Sequence, residues 1–377
     1  MSDSALEGHP VSRIVCHVDH HLSPRVTDCM SRIGVRRLLV EGGRAVRLSL
    51  RSRPFGLPGT VARHHGSPVD LFRCTVPRES ARSIVADVVA AAELNVPGHG
   101  SILVQDATEY RSATRAAVDA SPATDADRVT LLPDLALVTC ILSMPGTGEQ
   151  LARVALELGA CVPVVTLASG TGMRDRLGLL RITIPAEKEV VHLAVPAHDA
   201  NSIVRLLLEE VRLDRPGQGL VYRTPVRLGL VDTRLRIGKQ QHAASIEQII
   251  AALDELKSGT SWRRRFPEID RGAVGENLRI LPNQREITIV CAEGRSGVLV
   301  ESALRAGAGG ATTARVRRMR NGDREDSSAA RELSTLVVSD SACSSVTDAL
   351  LEAIAAGGEA NERIEVLESP AVFSYRR

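Results

Sequence analysis

Residues 76–102 read VPRESARSIVADVVAAAELNVPGHGSI, and residues 195–221 read VPAHDANSIVRLLLEEVRLDRPGQGLV. The two stretches align without a gap at a shift of 119, and ten of 27 positions are identical. Unrelated segments of ordinary composition would share about two. Each stretch opens as a strand ending in Val-Pro. A helix follows with apolar residues at Ile84, Val85, Val88 and Val89, and again at Ile203, Val204, Leu207 and Leu208. That spacing puts one apolar stripe on each helix, as needed to cover a sheet. Each stretch closes on a Pro-Gly-x-Gly turn running into a strand. Asp199 is expected to cap the second helix.

A third copy follows at a further shift of 143, with Val338, Leu350, Leu351 and Ile354 in place of Val195, Leu207, Leu208 and Val211. It keeps the apolar pattern and few identities, and Ser341 is its expected helix cap. Each copy also has a front half. Strand-like Arg13–Val18, Leu135–Leu142 and Ile287–Ala292 carry Cys16, Cys140 and Cys291 near their middles. A helix-length segment then ends near Gly34, Gly159 and Gly307, where glycine suits a left-handed stop. Second strands run through Val35–Val40, Val162–Leu167 and Ala311–Arg317. The order strand, helix, strand, long loop, strand, helix, strand is that of the split βαβ, or ferredoxin-like, unit. The expected fold class is α+β, with three tandem βαββαβ units over 12–112, 133–237 and 285–375. A polar linker spans 113–132, and a helical insert spans 238–284, with a helix expected at Ser245–Leu256.

Composition narrows the function classes. Only 1 Trp, 3 Tyr and 4 Phe occur, too few for base-stacking platforms in each unit. The cores must be aliphatic. Lys and Arg number 47 against 45 Asp and Glu. The one basic cluster, Arg315, Arg317, Arg318 and Arg320, fits a strand running into a loop, so no nucleic-acid footprint is expected. Seven dispersed cysteines without C-x-x-C suit reduced thiols in a cytoplasmic protein. No apolar run reaches membrane-spanning length, and the first residues lack a signal-peptide core.

Two motifs resemble the P-II and P-II-like signalling proteins. The first is Val195-Pro196, its helix, and Arg215-Pro-Gly-Gln-Gly-Leu-Val-Tyr222, similar to the family's phosphate-contacting glycine turn. The second is Gly170-Thr-Gly-Met-Arg174, similar to the G-x-G start of the family's T-loop. The first copy has Val96-Pro-Gly-His-Gly-Ser101 and Glu41-Gly-Gly-Arg44 at these places. The resemblance implies a covalent pseudo-trimer in a single chain, with ligand clefts between units. Its implied effector is an adenine nucleotide (ATP, ADP, AMP or cyclic AMP) or bicarbonate. Its implied partner is a membrane transporter or metabolic enzyme docked by T-loops. The family's phosphate-gripping lysine is replaced by Ser101 and Leu220, and the third turn, Ala360-Asn-Glu-Arg363, lacks glycine. The clefts are therefore expected to be unequal.

The candidate ligand-binding residues are Gly98, His99, Gly100, Ser101, Gly217, Gln218, Gly219, Gly170, Gly172, Arg174, Gly42, Gly43 and Arg44. The glycines would bring bare backbone N–H groups to an anion; the competing reading is tight turns needing positive φ. The long loops at Arg51–Asp70, Met173–Glu189 and Arg320–Glu332 are either docking arms or solvated hairpins. His17, His20, His21, His64 and His65 lack metal-ligand spacing and read as loop histidines. Trp262 and Phe266, around Arg263–Arg265, are expected to cover a sheet edge. No catalytic motif is present, so a non-enzymatic regulator is expected. Rival readings are an ACT-type amino-acid sensor and a scaffold without a ligand.

Overall fold

The structure is a computed structural model that describes residues 8–52, 60–111, 129–158, 161–172, 187–210, 217–232, 253–257, 259–260, 278–319, 329–357 and 362–375. The first third runs β1 (His9–Asp19), α1 (Ser23–Ile33), β2 (Leu39–Ser52), β3 (Thr60–Val76), α2 (Ala81–Ala92) and β4 (Gly100–Arg111). The second runs β5 (Leu132–Leu142), α3 (Thr147–Glu157), β6 (Val164–Gly172), β7 (Glu187–Pro196), α4 (Ala200–Glu210) and β8 (Gly219–Leu230). The last runs β9 (Leu278–Ala292), α5 (Ser296–Arg305), β10 (Gly310–Arg318), β11 (Ala330–Ser339), α6 (Asp340–Gly357) and β12 (Arg363–Tyr375).

The element order recurs, but the expected fold class does not hold. The twelve strands form one sheet rather than three ferredoxin-like units with a sheet each. At one set of margins β2 pairs with β6 and β10, and β6 with β10; at the other β4 pairs with β8 and β12, and β12 with β8. All of these pairings are antiparallel, and they close the sheet into a β-barrel. The physical reason is edge satisfaction. A four-stranded sheet leaves a row of unpaired N–H and C=O groups on each side, and closure removes those edges. The descriptions as P-II-like units and as a pseudo-trimer of separate sheets fall with that correction.

Strict alternation along the strands decides what each face packs on. On β1, Ile14, Cys16 and Val18 turn outward under α1 and α2, joining Val26, Met30, Ile84, Val85 and Val88 in one buried cluster. Equivalent clusters lie under α3 and α4, and under α5 and α6. Arg13 turns inward and meets residues of β9 and β12. Smaller apolar clusters tie different thirds together, such as Leu103 of β4 with Leu135, Leu137 and Val226, or Leu39 of β2 with Val290, Ala314 and Leu333.

Local signals are partly met. Gly34 ends α1 with φ 79, its N–H bonded to the Met30 and Ser31 carbonyls, and Gly307 has φ 108. Asp199 precedes α4, and its carbonyl accepts the Ile203 N–H. Ser341 is not a cap, because α6 already begins at Asp340. Of the loop expected at 51–70, residues 51–52 and 60–70 instead continue the β2–β3 ribbon, whose register runs to Ser52↔Thr60, and 53–59 lie outside the described residues. Much of the other two expected loops, most of the insert, and Trp262 and Phe266 lie outside the described residues; within the insert, 253–256 is helical.

Candidate functional site

A polar belt crosses the barrel interior. Arg13 is 2% exposed. Its Nε donates to Glu365 at 2.6 Å, one terminal nitrogen to Glu286 at 2.5 Å, and the other to Thr288 at 2.9 Å. Arg363 donates to the other oxygen of Glu365 at 3.0 Å. Arg37 donates to Glu109 at 3.1 Å, and Thr75 donates to the same carboxylate. Burial pushes the Glu365 carboxyl up, but Arg13, Arg363 and Arg73 overcome it and hold the group at about 2. Burial and the nearby Arg73 bring His17 down to about 4, and burial, His17 and Arg73 put His192 well below the usual imidazole range. Both rings are therefore neutral at neutral pH, with centroids 5.9 Å apart. Burial also raises Glu41, partly offset by Arg73 and a hydrogen bond with Thr166.

The first glycine turn is held by the chain itself. The Gly98 N–H donates to Asp232 Oδ1 at 2.8 Å, and Arg47 donates to the Gly98 carbonyl at 2.5 Å and to Asp232 Oδ2 at 3.2 Å. An internal carboxylate thus occupies the backbone donor that the sequence offers to a ligand. His99 Nδ1 is bonded to the Ala92 carbonyl at the end of α2. Ser101 is buried and lies against His17 Nδ1 at 3.4 Å. Gly100 has φ 144, and a Cβ there would stand 1.9 Å from the His17 carbonyl oxygen; at Gly219, with φ 155, it would stand 2.1 Å from that of Ile141. Both glycines are demanded by close strand approach. The Gln218 carbonyl, between Gly217 and Gly219, accepts the Ser143 N–H.

Gly42, Gly43 and Arg44 line a cleft of about 780 Å³ where β2, β6 and β10 meet. Arg44, Lys188 and Arg315 supply its cationic side chains; Glu41, Asp70 and Glu187 supply carboxylates. Asp70 is engaged by His20 and Ser23. Lys188 donates to Ser143 at 3.1 Å, which links the cleft to the Gln218 turn. Gly170 and Gly172 lie on β6 beside the cleft, paired with Thr312 and Gly310. Arg174 lies outside the described residues. The structure therefore gathers Gly42, Gly43 and Arg44 in one place and leaves the Gly98 and Gly217 turns apart from it.

Sequence reasoning missed Arg13, Arg73, His192, Glu286 and Glu365, and it read His17 as a loop histidine where the structure buries it on β1. The signal was present: Arg13 and His17, four places apart on an otherwise apolar strand, share one face, and polar residues on a buried face must find partners. His64 and His65 also lie on a strand, β3, rather than in a loop. Among the described residues no group of His, Cys, Asp and Glu is placed to hold a metal ion, and no helix is long and apolar enough to cross a membrane.

No family model matches the chain, and no curated protein matches it. Among solved structures it is similar to a microcompartment protein from Desulfitobacterium hafniense, 14% identical over 63% of this chain and 95% of that one, with a TM-score of 0.18. It is also similar to the aspartate kinase from Synechocystis, 12% identical over 63% of this chain and 43% of that one, with a TM-score of 0.21. Overlaps at such scores carry no argument about function, and neither names a P-II protein.

Proposed function

We propose that this is a cytoplasmic, non-enzymatic regulatory protein that takes a small anionic effector into the cleft between β2, β6 and β10. The observation that carries this reading is the cleft itself. Its volume, about 780 Å³, lies within the range of about 300–1,000 Å³ common to small-molecule sites. Arg44 and Arg315 are exposed there, and Gly42 leaves the backbone open, with nothing within 4 Å of where a Cβ would stand. Strands from all three thirds form the walls, so an occupant bears on how the thirds pack. A ligand that prefers one arrangement shifts the population toward it. A partner, a transporter or a metabolic enzyme, would then read the outer surface.

A second reading has support from the same lining. Glu41 and Glu187 stand among the cations, and a mixed set of charges suits a zwitterion such as a free amino acid. A thermal-shift screen with ATP, ADP, AMP, cyclic AMP, bicarbonate and amino acids separates the two. The main reading expects stabilisation by a nucleotide or bicarbonate and its loss in Arg44→Ala with Arg315→Ala. Stabilisation by amino acids alone supports the second reading. No response to any compound rules out both.

A further inference from the structure

Behind the cleft, inside the barrel, lies a second cavity of about 40 Å³. The two share Glu41, Thr166 and Ala168 as a common wall. Arg73, His192, Tyr222 and Glu286 are among the other lining residues. Arg73 Nη1 and His192 Nδ1 are both sealed from solvent and meet no hydrogen-bond partner in the protein. His192 is 7% exposed. His17, stacked at a tilt beside it, has an equally unmet Nε2.

Unmet donors in a protein interior are rare and costly. Arg73 sits in the field of Glu286, Glu365 and Glu41, yet its Nη1 donates to none of them. The neighbouring carboxylates are committed elsewhere. Glu286 and Glu365 accept from Arg13, and Glu365 also from Arg363. Glu109 accepts from Arg37 and Thr75. Glu41 is the carboxyl left facing the cavity, and burial draws it toward its neutral form.

We propose that this interior cavity binds a small monovalent anion, a halide or a planar oxyanion of a few atoms, between Arg73 and His192. One guanidinium balances one negative charge. The volume admits one occupant of a few atoms and is far too small for a nucleotide. Neutral His192 takes the tautomer with its proton on Nδ1 and donates to the anion. While Glu41 is neutral, Arg13, Arg73 and Arg363 outnumber Glu286 and Glu365 by one charge, so an anion evens the count where a water molecule would not. The site does not depend on the reading of the cleft, and the two succeed or fail separately.

The test uses the full chain in sodium gluconate, whose anion is too large for the cavity. Bromide, chloride or nitrate replaces gluconate at constant ionic strength while the thermal midpoint is followed. Saturable stabilisation by the small anions is expected, together with an anomalous bromide peak within hydrogen-bond distance of Arg73 Nη1 in crystals grown in bromide. Arg73→Gln should abolish the response. If that variant does not fold, Glu41→Gln decides at alkaline pH, because it prevents the ionisation of Glu41 that would compete with the anion for Arg73 and should there tighten bromide binding several-fold. Superimposable bromide and gluconate curves, a map showing only water at Arg73, or a Glu41→Gln protein with unchanged or weaker binding would each overturn the proposal.

Discussion

Replacing Arg13 with methionine removes the guanidinium that ties β1 to β9 and β12 while keeping a long side chain in the same space. Three hydrogen bonds go, to Glu365, Glu286 and Thr288. Glu286 keeps the hydroxyl of Thr288 at 3.1 Å and that of Tyr222, and Glu365 keeps Arg363 at 3.0 Å, so two carboxylates stay buried without their strongest partner. The depression of Glu365 from 4.5 to about 2, held against burial and shared among Arg13, Arg363 and Arg73 with Arg13 the largest of the three, corresponds to about 3 kcal/mol at roughly 1.4 kcal/mol per unit. Breaking a buried ion pair on one side costs about 3–5 kcal/mol, which agrees. The sign with pH is fixed by linkage. A carboxyl depressed in the folded state stabilises above its unfolded pKa, and that contribution is lost as pH falls through the folded one. In the variant the orphaned carboxyls protonate earlier, so the deficit relative to the parent should shrink on acidification. Urea unfolding of both proteins at about pH 7 and about pH 4 measures this. Adding Glu286→Gln and Glu365→Gln to the variant should recover much of the loss. A deficit below about 1 kcal/mol at neutral pH, the size of an exposed pair, or one that does not change with pH, would refute the reasoning.

Three further outcomes follow. Gly100→Ala and Gly219→Ala should each cost at least about 1–3 kcal/mol of backbone strain, read as a lower thermal midpoint, because the new Cβ strikes a carbonyl oxygen; Gly42→Ala, facing open space, should cost almost nothing. His17, at about 4 in the fold against 6.5 free, binds its proton less readily when folded, so stability should fall as pH drops from about 6.5 toward about 4, by up to about 3 kcal/mol; His17→Asn should flatten that slope in a urea series, and an imidazole titrating near its free value by NMR would contradict it. Asp232→Ala should destabilise by about 1–3 kcal/mol, the cost of leaving a buried partner unmet, because it strands the Gly98 N–H and Arg47; hydrogen exchange at Gly98 should quicken, and an unchanged rate would count against the contact.

Helices and strands were legible because their signals are local. The stripe at Ile84, Val85, Val88 and Val89 is the buried face of α2, and the expected glycine stop is the left-handed Gly34. The closure was not legible. Which strand edge meets which depends on groups every residue carries, the backbone N–H and C=O, so no side-chain pattern records the pairing of β2 with β6 and β10. The same gap explains the site. Gly42, Gly43 and Arg44 were singled out as a loop root, yet they lie on a paired strand, opposite Asp70, Val69 and Pro68. Arg13 and Glu365 were passed over because they stand 352 positions apart and acquire meaning only when β1 and β12 face one interior.

The scarcity of aromatic residues connects these observations. A closed barrel must fill its interior with side chains, and bulky ones do so most economically. With eight aromatic residues in 377, few large rings are available, and Phe72 and Phe373 are spent in the clusters under the helices. Among the described residues Arg13 is the largest side chain fully buried, so arginine, paired with glutamate, takes up volume that rings would otherwise fill. Charged filling has a geometric consequence that apolar filling lacks, since each guanidinium must meet acceptors at fixed angles. Where that matching is complete, at Arg13, the belt fixes β1 against β9 and β12. Where it is incomplete, at Arg73 and His192, a small cavity with unmet donors remains, directly behind the wall it shares with the cleft. The barrel's way of filling its own centre therefore determines where it can receive an ion.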